Sequence, residues 1–171
     1  TKFRTYMTLI KSISGIRGTI GGAIGENLTP EDIVKFASAY GQWIINRSTN
    51  SNAVTIVIGR DARISGAMLN HLVVGTLQGL GIHVIDIGLS TTPTVEIAVP
   101  LENANGGIIL TASHNPKEWN ALKLLNEKGE FISAQDGADL LAIAEKGAVK
   151  YQTVGKLGSY VLNDTYFKKH I

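Results

Sequence analysis

Between residues 53 and 111 the sequence alternates short apolar runs with polar loops and helical patterns. The run at 53–58 has almost no polar alternation, which is typical of a parallel strand covered on both faces. Similar runs follow at 83–88 and 107–111. Strands that alternate with helices predict an α/β protein, with a parallel or mixed sheet between helices on both faces. The loops after these runs then meet at the carboxyl ends of the strands, where open α/β sheets bind ligands.

Capping signals indicate where helices begin and end. Thr29-Pro30-Glu31-Asp32 predicts a helix start, because a capping hydroxyl precedes proline and two acidic residues. Ser65 and Ser133 are candidate caps of two further helices. Pro100 is expected to stop a short helix at 95–99, because proline cannot continue the hydrogen-bond ladder.

Two more segments favour hairpins. Residues 9–25 are rich in glycine, which predicts tight turns or a hairpin, but their spacing fits neither a dinucleotide fingerprint nor a P-loop. Residues 121–125 form an apolar run and, together with residues 130–132, flank Asn126-Glu127-Lys128-Gly129, which predicts a turn between two strands.

The composition excludes several classes of protein. A hydrophobic fraction of 44% with modest charge is typical of a globular chain, and a net charge of +2 gives no reason to expect nucleic-acid binding. No apolar stretch approaches the ~18 residues of a membrane span, and no secretory signal pattern is present. Cysteine is absent, which excludes disulfides and cysteine metal sites and fits a cytoplasmic protein.

We expect residues 1–150 to form one domain and residues 151–171 to form a linker toward a second domain. The linker is expected to end in the start of a helix, whose spacing is carried by Tyr160, Val161, Asp164 and Phe167. Because no helix stop follows, we expect the chain to be the first domain of a longer protein.

The stretch 107–125 holds the candidate reactive groups. Its apolar run ends at Thr111-Ala112-Ser113-His114-Asn115-Pro116, which predicts a tight polar loop after a strand, and Lys123 follows in the next apolar run. A hydroxyl, an imidazole, a carboxamide and an amine suit a nucleophile with its activating groups. A polar turn with no chemical role is the alternative that the residues alone leave open.

This loop, with Asn120 and Lys123 downstream, resembles the phosphoserine loop of the α-D-phosphohexomutases. That family includes phosphoglucomutases, phosphomannomutases and phosphoglucosamine mutases. Ser14-Gly15-Ile16-Arg17-Gly18 and Gly59-Arg60-Asp61-Ala62-Arg63 resemble two further segments of the family's first domain. The resemblance implies a three-layer α/β/α fold with a small mixed, mostly parallel sheet.

The resemblance also implies roles for the site residues. Ser113 would carry the phosphoryl group that passes to a hexose 1- or 6-phosphate by way of a hexose bisphosphate. Lys123 is the family's candidate general acid/base, and His114 is the third catalytic candidate. Arg17 and Asn115 would hold phosphate, and Mg²⁺ would bind through the phosphate on Ser113. Arg60, Asp61 and Arg63 are expected to support the loop.

Several family features are absent from the sequence. The Asp-Gly-Asp-Gly-Asp-Arg metal motif of the family's second domain does not occur, so the remaining Mg²⁺ ligands and the sugar-recognition loop would belong to other domains of the same polypeptide. Trp119 and Ala121 stand where tyrosine and glycine are common in relatives. Phosphoglucosamine mutase, a non-catalytic sugar-phosphate-binding homologue and a plain α/β scaffold remain as alternatives to a phosphoglucomutase or phosphomannomutase.

Overall fold

A computed structural model describes residues 6–13, 15–49 and 53–166. Within them, seven strands form one sheet and four α-helices pack against it. The strands are β1 (Ile10–Ser12), β2 (Gly15–Thr19), β3 (Thr55–Arg60), β4 (His83–Leu89), β5 (Gly106–Leu110), β6 (Trp119–Leu125) and β7 (Tyr160–Leu162). The α-helices are α1 (Pro30–Arg47), α2 (Gly66–Gly79), α3 (Thr92–Leu101) and α4 (Ala134–Lys146), and a short 3-10 turn spans Val154–Lys156.

The sheet has the strand order β1-β2-β6-β5-β3-β4-β7. Strands β5, β3, β4 and β7 run parallel to one another, whereas β1, β2, β6 and β5 pair in antiparallel fashion. The predicted α/β class and mixed sheet are therefore confirmed. The sheet is larger and less parallel than expected, because the glycine-rich hairpin β1–β2 joins it through β6.

The two faces of the sheet bury separate cores. Ile56 and Ile58 of β3 pack in the core under α1, α2 and α4, whereas Val57 packs on the opposite face with α3. This alternation follows from the period of two along a strand. Helix α3 contacts β3 and β5. Arg17 and Lys123, on β2 and β6, lie on the same face as α3 but further along the sheet.

Two of the three predicted serine and threonine caps are confirmed. Thr29 and Ser133 each form a capping box, with Asp32 at the start of α1 and Asp136 at the start of α4. The prediction that the Ser65 side chain caps α2 is wrong: Ser65 precedes the helix, but its hydroxyl makes no capping hydrogen bond. Its hydroxyl instead accepts a hydrogen bond from Asn120 Nδ2 at 2.8 Å, so Ser65 joins α2 to β6.

The expected stop at Pro100 is also displaced. Helix α3 begins after the cap Thr91 and runs through Pro100 to Leu101. Proline removes the bond that its own N–H would have donated and crowds the carbonyl four residues earlier, yet α3 continues one residue past it. The following bond, from Glu102 N–H to the Ala98 carbonyl, is intact at 2.9 Å.

The helix predicted near the end of the chain is not formed at residues 160–162. These residues form β7, which pairs in parallel with β4, and Phe167 lies outside the described residues. Hydrogen bonds flank the pairing: Val84 N–H donates to Ser159 O at 2.8 Å and Asn163 N–H to Asp86 O at 2.7 Å. Pairing with an existing strand outweighs a weak helical spacing. A domain boundary at residue 150 remains a prediction.

None of the helices in the described ranges has both the length and the apolar character that crossing a membrane requires.

Candidate active site

Ser113 lies on the loop that joins β5 to β6, with its side chain exposed to solvent. Its backbone has φ of +52°, the left-handed region that a non-glycine residue rarely adopts. The Ser113 N–H donates to Thr111 Oγ1 at 3.1 Å, which helps to hold this conformation. The chain thus presents a hydroxyl at a sharp turn directly beyond the carboxyl end of a buried strand.

Lys123 lies beside Ser113. It occupies the centre of β6 and pairs in register with Ile109 of β5. The Lys123 Nζ donates to Ser113 Oγ at 2.6 Å, across ten residues of sequence. Because β6 returns antiparallel along β5, a strand lysine is brought back to the loop that β5 has just left.

Arg17 reaches the same cleft from β2. It pairs in register with Ala121, two residues before Lys123, so both cationic side chains stand on one face of the sheet. Arg17 is exposed, and no ion pair joins it to a carboxylate of the described residues. Gly15 permits this strand to lie so close to β6: a Cβ at Gly15 would stand 2.0 Å from the Leu122 carbonyl oxygen.

The side chains surround an open cleft of about 390 Å³, within the size range of small-molecule sites. Among the described residues, its lining contains three basic side chains and no carboxylate. The residues are Ser12, Gly15, Arg17, Ala112, Ser113, His114, Asn115, Ala121, Lys123 and Phe131. The structure therefore brings together all five predicted site residues; their chemical roles remain predictions. A hydroxyl among cationic and amide groups suits a phosphoryl group.

The loop is held from beneath by residues of the segment after β3. Arg63 donates to backbone carbonyl oxygens of the loop, and Asp61 accepts a hydrogen bond from the Thr111 hydroxyl at 2.6 Å. The support expected from Arg60 is not seen as a loop contact in the described residues, where Arg60 Nη1 donates to the Asp61 carbonyl at 3.3 Å.

The sequence did not predict that Thr111 and Phe131 contribute side chains to the site. Thr111 was expected only as part of a strand and loop, yet its hydroxyl links Asp61 to the Ser113 amide. Phe131 follows the β6 turn and bridges to Leu125, which places an exposed ring in the cleft. Neither contact has a sequence signal, because each depends on which strands become neighbours.

Metal binding by this chain has little support from its acidic residues. Among residues 6–13, 15–49 and 53–166, no three histidine or carboxylate side chains are grouped closely enough to hold a metal ion. Oxygen donors in the cleft itself come from hydroxyl and amide side chains, Ser12, Ser113 and Asn115. Mg²⁺ prefers carboxylate and phosphate oxygens. The residues present therefore fit Mg²⁺ only in part.

Residues 9–150 match the family model described as phosphoglucomutase/phosphomannomutase, alpha/beta/alpha domain I. The chain is 35% identical to a phosphoglucomutase/phosphomannomutase of Thermococcus kodakarensis, over 82% of this chain and 31% of that protein. It is 34% identical to a phosphoglucosamine mutase of Pediococcus pentosaceus, over 83% of this chain and 32% of that protein. The chain thus spans less than a third of the length of these curated relatives.

A solved structure shares the fold. A phosphoglucomutase/phosphomannomutase family protein from Burkholderia thailandensis aligns with a TM-score of 0.74 and 24% identity, over 94% of this chain and 35% of that one. The family model covers most of the chain, including β1 to β6 and the cleft that they form. The chain therefore belongs to the phosphoglucomutase/phosphomannomutase family and contains its alpha/beta/alpha domain I.

Proposed function

We propose that the full-length protein is a phosphohexomutase, an isomerase that interconverts hexose 1-phosphates and hexose 6-phosphates through a phosphoserine at Ser113. One observation carries the proposal: the exposed Ser113 hydroxyl accepts a hydrogen bond from Lys123 Nζ at 2.6 Å, in a cleft whose charged lining is entirely basic. Family membership supports the reaction class, since relatives are named as mutases of this kind.

Ser113 and Lys123 would share the bond-breaking step. When the phosphoryl group leaves Ser113 for a free hydroxyl of the bound sugar phosphate, a bond forms from that hydroxyl oxygen to phosphorus and the bond from phosphorus to Oγ breaks. The sugar hydroxyl releases its proton to solvent, and Oγ gains a proton. Lys123 already donates to that oxygen, so it can supply this proton. The same lysine takes the proton back when Oγ bonds to the other phosphoryl group of the hexose bisphosphate, and the sugar oxygen that leaves phosphorus regains a proton from solvent. The net result exchanges the 1- and 6-phosphates.

The remaining cleft residues would stabilise charge. A phosphoserine carries about −1.5 to −2 charge at neutral pH. Arg17 can approach it as a planar two-pronged donor, and His114 and Asn115 line the same cleft. Mg²⁺, when bound to a phosphate oxygen on Ser113, supplies further charge neutralisation. Its other ligands, and the contacts that select the sugar, would come from the remaining domains of the polypeptide.

The candidate enzymes differ in the sugar on which they act. Relatives named as phosphoglucosamine mutase are as similar to this chain as one named phosphoglucomutase/phosphomannomutase, at 34% against 35% identity. Phosphoglucosamine mutase is therefore the second candidate. A non-catalytic homologue that only binds sugar phosphate is less well supported, because it does not require an amine in contact with the serine hydroxyl. We propose a cytoplasmic location for either enzyme.

Intact-mass measurement of full-length protein tests the phosphoserine. We expect a phosphate adduct on the wild type after incubation with glucose 1,6-bisphosphate, and peptide mapping should place it on Ser113. Ser113→Ala should lose both the adduct and turnover of glucose 1-phosphate. Ser159→Ala is the matched control, since Ser159 contacts His83 at the other edge of the sheet. An adduct on another residue, or full activity of Ser113→Ala, contradicts the proposal.

A further inference from the structure

We propose that Asp61 and Arg63 are positioning residues that set the conformation of Ser113, and with it the alignment of the transferring phosphoryl group. The inference rests on the proposed phosphoserine function. It assigns a role in catalysis to two residues outside the cleft, since neither the Asp61 nor the Arg63 side chain lines the cleft. Both belong to the segment after β3, about fifty residues from Ser113 in sequence.

The Arg63 guanidinium is bonded almost entirely to the main chain of the Ser113 loop. Its Nη2 donates to the carbonyl oxygens of Ser113 and Asn115 at 2.8 and 2.7 Å. Its Nη1 donates to those of Pro116 and Trp119 at 2.7 and 3.1 Å. The side chain is only 12% exposed. One side chain therefore links three carbonyl groups of the loop to the first residue of β6, in addition to the loop's own turn bonds from Asn115 N–H to Ala112 O and from Trp119 N–H to Pro116 O.

Asp61 organises both attachments of Ser113. One carboxylate oxygen accepts the Arg63 backbone N–H at 3.0 Å, and the other accepts the Thr111 hydroxyl at 2.6 Å. The second oxygen also lies 3.4 Å from Arg63 Nε. Thr111 Oγ1 in turn accepts the Ser113 N–H at 3.1 Å. Thr111 thus accepts the N–H of Ser113, and Arg63 donates to its C=O. Both Thr111 and Arg63 in turn contact the Asp61 carboxylate.

This arrangement explains how a serine is kept in a left-handed conformation. A non-glycine residue at φ of +52° persists only where its surroundings over-determine it, and such strain costs on the order of 1–3 kcal/mol. Fixing the peptide on both sides of Ser113 aims Oγ at Lys123. The four carbonyl oxygens bonded to Arg63 are also turned toward its guanidinium, so their negative ends do not face the phosphoryl group.

The test is Arg63→Lys in the full-length enzyme, assayed with glucose 1-phosphate, glucose 1,6-bisphosphate and Mg²⁺. Lysine keeps the charge but cannot reach four carbonyl oxygens with a planar fork. We expect kcat to fall by about 100-fold, the scale of a small misplacement of reacting groups, with KM nearly unchanged. The rate of phosphoryl transfer from isolated phosphoenzyme, followed by quenched-flow intact mass, should fall by the same factor. Thr111→Val should act in the same direction.

Arg60→Lys is the matched control, because Arg60 has the same charge and its guanidinium, within the part of the chain that the structure describes, donates only to the Asp61 carbonyl. Thermal unfolding of each variant separates a folding defect from a positioning defect. Loss of kcat in Arg63→Lys alone, with wild-type unfolding and KM, supports the inference. Wild-type kcat in Arg63→Lys, or equal losses in both arginine variants, overturns it while leaving the phosphoserine function standing. A wild type that neither takes up phosphate nor turns over substrate overturns both proposals.

Discussion

At the residue scale, the contact between Lys123 and Ser113 depends on strand pairing that the sequence does not reveal. A lysine in a strand is ordinarily solvated, and only its spacing from the loop motif marked it as a candidate. The structure supplies the missing reason: β6 pairs antiparallel with β5, so Lys123 returns beside the loop and reaches Oγ. The links from Thr111 to Asp61 and Ser113 could not be predicted, because hydrogen bonds between distant segments leave no local pattern.

Removing the Lys123 amine should therefore impair chemistry more than binding. In full-length enzyme, Lys123→Met should lower kcat by about 10²- to 10⁴-fold, the range typical of a general acid or base. KM should change little, because Arg17 and Asn115, the proposed phosphate-binding residues, remain. Steady-state assays with glucose 1-phosphate measure both constants. Lys128→Met, at the exposed turn after β6, should behave like wild type. Equal kcat values for the two lysine variants would remove Lys123 from the mechanism.

At the element scale, strong local signals predicted structure well and weak ones did not. The capping hydroxyl, proline and acids around Thr29 specify the start of α1, and the three apolar runs became β3, β4 and β5. Strand β7 was missed, since its three residues are all exposed and carry no alternating pattern. Its partners explain it: Tyr160 donates its hydroxyl to Asp86 at 2.7 Å, and Asp86 is buried in β4.

That hydrogen bond predicts a dependence of stability on alkaline pH. Although Tyr160 is partly exposed, partial desolvation of its hydroxyl, with the hydrogen bond to Asp86, raises the pKa of Tyr160 from 10.0 to about 12. Between these values the folded protein keeps a proton that the unfolded chain has lost, so the free energy of unfolding falls as pH rises. Below pH 10 this group adds no pH dependence.

Tyr160→Phe removes the hydroxyl and tests this. At about pH 9 the variant should be less stable by about 1 kcal/mol, because it lacks the hydrogen bond to Asp86. The loss is no larger because Asn70 Nδ2 and the Gly88 N–H still donate to that carboxylate. The difference from wild type should shrink by about pH 11, because the wild type alone loses the contribution of this phenol. Denaturant unfolding of both proteins at the two pH values measures it. A difference that stays constant or grows with pH contradicts the assignment.

At the scale of the whole molecule, charge is distributed unevenly although the totals nearly balance. The chain has 16 lysine and arginine residues and 14 aspartate and glutamate residues, yet none of the described carboxylates lines the cleft at Ser113. Helix α3 covers β3 and β5 on that face of the sheet, whereas the cleft at β2 and β6 is open. An open cleft lined by basic side chains can receive a phosphoryl group but offers few ligands for a divalent cation.

The 171-residue chain alone is therefore expected to bind Mg²⁺ weakly and to turn over essentially no sugar phosphate. Its described residues contain no group of three metal-ligating side chains, and Mg²⁺ sites normally use carboxylates together with phosphates. Calorimetric titration with MgCl₂ and a coupled assay with glucose 1-phosphate and glucose 1,6-bisphosphate measure both properties. The Thermococcus kodakarensis phosphoglucomutase/phosphomannomutase, of which the matched region is 31%, is the positive control. Turnover by the 171-residue chain comparable to that of this relative would mean that the cleft around Ser113 is a complete active site, and the assignment of metal and sugar contacts to other domains would be wrong.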